Sequence, residues 1–217
     1  MNRTRHVPTL TPEQRDQAND AIERMMKLRD SLANLQAFFS MLRDLANRLP
    51  LLLNDDHHIA IRVVRAGLMR SAIGLSCAML DRSDRRGNRA SIGEVLDILK
   101  DEKTVKAFAH RHRLPDPLGT IESIRKRHAA FIGGESFKSI RRLRNDEVGH
   151  LLLSDDRAPN VQYDELYEAE KEIEEILNSL FTFAGIRTDD VQDDRRNSER
   201  RAKLFWDTYL IGVDRAR

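Results

Sequence analysis

The stretch from Phe137 to Leu151 gathers the side chains best suited to chemistry on a phosphate. Wound as a helix at about 100° per residue, it puts Phe137, Ile140, Val148 and Leu151 on one narrow apolar face, with Arg144 in its middle. A guanidinium stays charged at any physiological pH, and burying a lone charge costs many kcal/mol. Arg144 must therefore meet a carboxylate, a second protein chain or an anionic ligand. Lys138, Arg141, Arg142 and Asn145 make a separate polar stripe beside it. Gly149 is an end signal, and His150 follows with a side chain that titrates near neutrality. Charge stabilisation plus proton transfer is what phosphate cleavage without a metal requires, and these residue types supply both. The plainer reading of the same residues is a helix with a snorkelling arginine and a surface histidine. Six residues advance a helix by about 600°, so Arg144 and His150 do not share one face of an ideal helix. A distortion near Gly149, or a site shared between protomers, is needed to bring them together.

Other clusters carry less. Asp55, Asp56, His57 and His58 are four potential metal ligands in a row. Adjacent residues on a helix point in different directions, and acids in a first turn serve the free N–H groups and the helix dipole. Capping is preferred to a metal site there. The run Arg125-Lys126-Arg127-His128 reads as a solvated face, or as one contributor to a phosphate-binding surface. Arg65 interrupts an apolar helix and poses the same question as Arg144, with a paired structural role and a functional one both open. There is no Gly-rich phosphate loop, zinc spacing or nucleophile motif, and neither a metal nor a cofactor is expected.

Composition sets the frame for these elements. The chain has 217 residues, 33% charged and 40% hydrophobic, with 37 Lys+Arg against 35 Asp+Glu and a net charge of +2. Near neutrality overall, any affinity for nucleic acid has to come from local clusters. The single cysteine, Cys77, excludes an intrachain disulfide and reads as a core residue. No apolar run approaches 18 residues and no secretion signal opens the chain, so a cytoplasmic protein without a membrane span is expected.

The helices expected to position the cluster follow from their punctuation. Residues 1–11 are a flexible lead-in. Thr11, Pro12 and Gln14 make a capping box with proline at the first helical position. From there Ala18, Ala21, Met25, Leu28, Leu32, Leu35, Phe39, Leu42, Ala46 and Leu49 alternate three and four apart, the seam of a helix packed lengthwise on another. Pro50 and the Asn54-Asp55 step are expected to end it. A second helix, to about Leu80, is apolar on most sides and is expected to be the most buried. Residues 81–90 are a polar, basic loop. Ser91 and Glu94 open a short helix, another covers about 102–112, and a third runs from about Thr120 to Ile132 after Pro115 and Pro117. Gly133 and Gly134 break the chain before the Arg144 helix. Asp164 caps an acidic helix with the seam Leu166, Ala169, Ile173, Ile176, Leu177, Leu180 and Ala184, stopped by Gly185. Residues 186–217 are a charged linker over 186–196 and a final helix carrying Trp206, which docks on the core or on a second protomer. No strand pattern occurs, and the fold class is all-α: one bundle domain over 12–185, with a long N-terminal helix and a C-terminal helical extension.

The Arg144-Asn145-x4-His150 spacing resembles the motif of the HEPN superfamily (higher eukaryotes and prokaryotes nucleotide-binding), an arginine four to six residues before a histidine, commonly with a polar residue after the arginine. Residues from about 60 to 100, with Leu80-Asp81-Arg82-Ser83 and the Ser91–Leu99 helix, look like the abortive-infection AbiU-type branch, as does Tyr163-Asp164-Glu165-Leu166. The likeness covers about residues 12–185. The resemblance implies a HEPN-type bundle and a metal-independent endoribonuclease of toxin or antiphage-defence type. It implies a homodimer whose motif helices face across a cleft to make a composite site, with RNA as substrate and an antitoxin or defence-system partner. By that carry-over Arg144 stabilises the phosphorane charge, His150 is acid or base, and Asn145 positions the phosphate or the histidine. Lys138, Arg141 and Arg142 are then the RNA-binding residues. A non-catalytic HEPN module that binds RNA, nucleotide or a protein partner is the alternative the resemblance leaves open.

Overall fold

The computed structural model describes residues 10–52, 58–81, 90–112, 114–149 and 163–216. The lead-in up to residue 9, Asp55, Asp56 and His57, most of the 81–90 loop and His150 lie outside the described residues. Eight helices and no strand occur among those described: α1 Pro12–Leu52, α2 His58–Leu80, α3 Ile92–Ile98, α4 Glu102–His112, α5 Pro117–Gly133, α6 Glu135–Gly149, α7 Tyr163–Ala184 and α8 Asp189–Ala216. The fold class is all-α.

The helices form two compact units. One consists of Met1–Asp30, Ala78–Gly134 and Glu172–Thr188, the other of Ser31–Cys77, Glu135–Lys171 and Asp189–Arg217. In the first, α1 opens with the Thr11–Gln14 capping box, each backbone N–H donating to the other side chain at 3.1 and 3.3 Å. Ser91 and Glu94 cap α3 in the same reciprocal way. Asp101 accepts from the Thr104 N–H at 3.1 Å and from its hydroxyl at 2.7 Å. Pro117 is at the first turn of α5, with the Asp116 carboxylate accepting from the Gly119 N–H at 2.9 Å, so this helix starts three residues before Thr120. Gly185 ends α7 with φ +66°, and the Ile186 N–H donates to the Phe181 carbonyl at 2.8 Å. Any Cβ at 185 would strike the His112 ring, so glycine is required there for backbone and for space.

In the second unit the α1 seam is buried through Leu32, Leu35, Phe39 and Leu42, then shifts to Leu45, leaving Ala46 and Leu49 half-buried. Leu45 packs with Ile61 of α2 and Trp206 of α8, and the Trp206 indole N–H donates to the Met41 carbonyl at 3.2 Å. Trp206 is therefore docked on its own chain. Three expectations are corrected. First, α1 runs past Pro50 to Leu52, because a proline in the last turn removes a single helical hydrogen bond; the Asn54-Asp55 step lies outside the described residues. Second, α2 is not the most buried helix. Ile59, Val63 and Val64 are 65%, 67% and 39% exposed, whereas all seven residues of the α7 seam are buried. Third, α8 begins at Asp189, so most of the presumed linker is helix, laced by pairs such as Arg195–Glu199 at 3.3 Å. By length and composition alone Ile59–Leu80 could also cross a membrane, a test passed equally by the core helix of a soluble protein.

Candidate active site

The α6 helix starts where α5 stops, at the Gly133–Gly134 break. Phe137, Ile140 and Leu143 are its buried line, at 2%, 0% and 5% exposure. Leu143, three residues after Ile140, joins the buried line, and Arg144 is half-buried. Its Nε and Nη2 donate to the Asn145 side-chain oxygen at 3.3 and 3.2 Å. The Asn145 amide oxygen is a neutral acceptor for these two bonds.

Lys138, Arg141, Arg142 and Asn145 are all exposed and lie three or four residues apart, so the polar stripe exists as a continuous edge of α6. Lys138 pairs with Glu135 at 2.7 Å, one turn before it. That hydrogen bond and the ammonium charge, with a smaller contribution from Arg142, hold the Glu135 carboxyl below its ordinary range. The start of α6 is anchored to α7 by the Ser136 hydroxyl, which donates to Glu168 at 2.7 Å. The side chains of residues 146–149 and His150 lie outside those described, so the edge is defined from Lys138 to Asn145.

The 125–128 run is not a shared anion surface. Arg125 donates to the Leu96 carbonyl at 2.9 Å. Lys126 lies 3.8 Å from Glu122. Arg127 is clamped by Glu172 at 2.8 Å and by Glu175. The His128 ring is buried, with Nε2 3.3 Å from the Leu80 carbonyl. Hydrogen bonding to Glu172, more than any other favourable contact, raises the Arg127 pKa above its already high ordinary value. Among the described residues no three His, Cys, Asp or Glu side chains are grouped to hold a metal. Cys77 is buried.

Charged pairs between distant positions, Arg24–Glu94, Arg48–Asp207 and Arg43–Glu170 among them, are not legible in the sequence. Arg43 of α1 donates to Glu170 of α7, and its guanidinium lies 4.8 Å from the Tyr167 ring centroid and 5.9 Å from that of Phe39. The Glu170 side chain is only 2% exposed. The burial of Glu170, though not its partner, is legible: it falls four residues after Leu166 and three before Ile173, inside the α7 seam. No family model, no characterised protein and no solved structure matches this chain.

Proposed function

We propose that this protein is a metal-independent endoribonuclease of HEPN type, with a toxin or antiphage-defence role in the cytoplasm. The observation that carries the reading is the Arg144–Asn145 side-chain pair at the end of an exposed cationic edge. The edge gathers three cations, Lys138, Arg141 and Arg142, along little more than one turn of helix, a span of about 6 Å that suits adjacent phosphates of a single strand. In the proposed reaction a base removes the proton of the ribose 2′-hydroxyl, the oxygen attacks the adjacent phosphorus, and the 5′-oxygen leaves with a proton supplied by an acid. Arg144 neutralises charge on the pentacoordinate phosphate, Asn145 fixes the guanidinium, and His150 transfers the proton. The 600° between Arg144 and His150 favours a site completed by the partner copy of a homodimer, where an antitoxin or other defence partner could also block access.

The test is cleavage of single-stranded RNA by the purified protein in EDTA. Cleavage should persist and leave 2′,3′-cyclic phosphate ends, because an internal 2′-hydroxyl needs no activated water. Single-stranded DNA, which lacks that hydroxyl, should survive. Arg144→Ala and His150→Ala should each remove most of the rate with the fold unchanged. Inhibition by EDTA that added divalent metal reverses would refute the metal-free mechanism. RNA binding that depends on Arg141 and Arg142 without any cleavage would instead establish a non-catalytic binding module.

A further inference from the structure

Gln36, Ser40 and Arg43 lie four and three residues apart on α1, within about 60° of one another around the helix, beside the buried line of Leu32, Leu35, Phe39 and Leu42. Gln36 is 0% exposed and Ser40 3%. The nitrogen and the oxygen of the Gln36 amide, the Ser40 hydroxyl and Arg43 Nη1 are all buried, and none has a hydrogen-bond partner among the described residues. Ser40 does not even use the carbonyl one turn back, the usual refuge of a helical hydroxyl. About nine in ten buried polar groups find a partner in protein or in ordered water. Three consecutive positions on one helix flank that find none in the protein are therefore a site and not scatter. A methionine at 36 would fill nearly the same volume and leave no polar atom to satisfy.

The chemistry of these atoms selects the ligand. Arg43 is already neutralised, because it donates through Nη2 to Glu170 in the same compact unit. A further ion there would be an uncompensated charge in the interior, so the ligand is neutral. Nη1 and the Gln36 nitrogen only donate, the Gln36 oxygen only accepts, and the Ser40 hydroxyl does both. The ligand must therefore accept and donate as well. Residues 36 and 43 are about 10 Å apart along the helix axis, and one water hydrogen-bonded on both sides bridges about 5.5 Å. We propose that this flank of α1 is an internal water site holding a file of two ordered waters, one joining Gln36 to Ser40 and the next joining Ser40 to Arg43 Nη1. The Arg43 side chain is 31% exposed, so the file is entered at its end and closed at Gln36. The waters hold one amino group of the guanidinium while Glu170 holds the other, which positions Arg43 for the buried carboxylate. Nothing in this site depends on the reading of the α6 edge.

Oxygen-17 relaxation dispersion of the purified full chain tests this, since it counts waters held long enough to tumble with the protein. Gln36→Met and Ser40→Ala should each lose at least one such water relative to the wild type. In the wild type, Overhauser effects from water should reach the Gln36 side-chain amide protons. The folding equilibrium constant, read from urea midpoints, should fall about tenfold in Gln36→Met, because Ser40 and Arg43 lose the water that the amide holds in place. Should Gln36→Met fail to fold, Ser40→Ala, which removes one oxygen and adds no volume, carries the water count. An unchanged count in Ser40→Ala overturns the inference. So does a Gln36→Met protein more stable than the wild type, because the amide would then be a buried polar group that holds no ligand. Chloride that stabilises the wild type at constant ionic strength, but not Ser40→Ala, would overturn the neutral ligand and make this an anion site.

Discussion

Removing Arg43 should expose what the buried Glu170 carboxylate depends on. The Glu170 side chain is 2% exposed, against 31% for Arg43, so an Arg43→Ala protein retains a desolvated carboxylate whose Arg43 ion pair is broken. Breaking such a pair from one end costs about 3–5 kcal/mol. The partial exposure of Arg43 argues for the lower end. Loss of the contacts to the Tyr167 and Phe39 rings, at 4.8 and 5.9 Å, adds about 0.5–1 kcal/mol. A total near 3.5–4 kcal/mol would lower the melting temperature by about 7–16 °C in a chain of this size. Urea unfolding is the assay, followed by far-UV circular dichroism and by fluorescence of the single tryptophan, Trp206, which lies in the same unit. The two probes should move together if that unit unfolds as a whole. The Arg43→Met, Glu170→Met double variant should recover most of the loss, because both charges leave the interior at once. The reasoning fails if Arg43→Ala shifts the midpoint by less than the equivalent of about 0.5 kcal/mol. It also fails if the double variant is as unstable as the two single losses added together.

Trp206→Ala should cost about 3–5 kcal/mol, and Trp206→Phe about 1–2, since the second keeps most of the Leu45–Ile61 packing and loses the hydrogen bond to Met41; denaturant midpoints read both. Asp101→Ala should cost about 1 kcal/mol by uncapping α4. The Thr104 hydroxyl, foremost among its partners, holds the Asp101 carboxyl below its ordinary range. A lowered folded-state pKa means the stabilisation is complete above the ordinary carboxylate range and disappears as pH falls through the lowered value, so wild type and variant should melt alike near pH 2 and differ at pH 7. Arg144→Ala should change the melting temperature little, within the equivalent of about 0.5 kcal/mol, because the side chain is only half-buried and its loss leaves the Phe137–Ile140–Leu143 line intact.

The features legible in the sequence are those in which a residue answers to its immediate neighbours. Capping boxes at Thr11 and Ser91, the Gly185 stop and the α7 seam each depend on atoms within a turn or two, and each is found in place. The errors share a different cause. Apolar content around all of α2 suggests burial, but content fixes what a helix could bury and not how many neighbours it meets. The charges of 189–196 were read as a linker, although acids and bases three and four residues apart support a helix. Arg43 and Glu170 are 127 positions apart, a pairing no local pattern reveals.

The candidate site divides along the same line. The stripe of Lys138, Arg141, Arg142 and Asn145 follows from helical periodicity and is exposed as expected. Leu143 joins the buried line while Arg144 stays half-buried, an outcome the spacing left open because positions 143 and 144 straddle the inward direction three and four residues after Ile140. Burying a leucine stabilises, and burying the guanidinium would not. Partial exposure matters for the proposed chemistry: an arginine sealed in the apolar face could act only after the helix moved, whereas a half-buried one beside Asn145 needs no such movement.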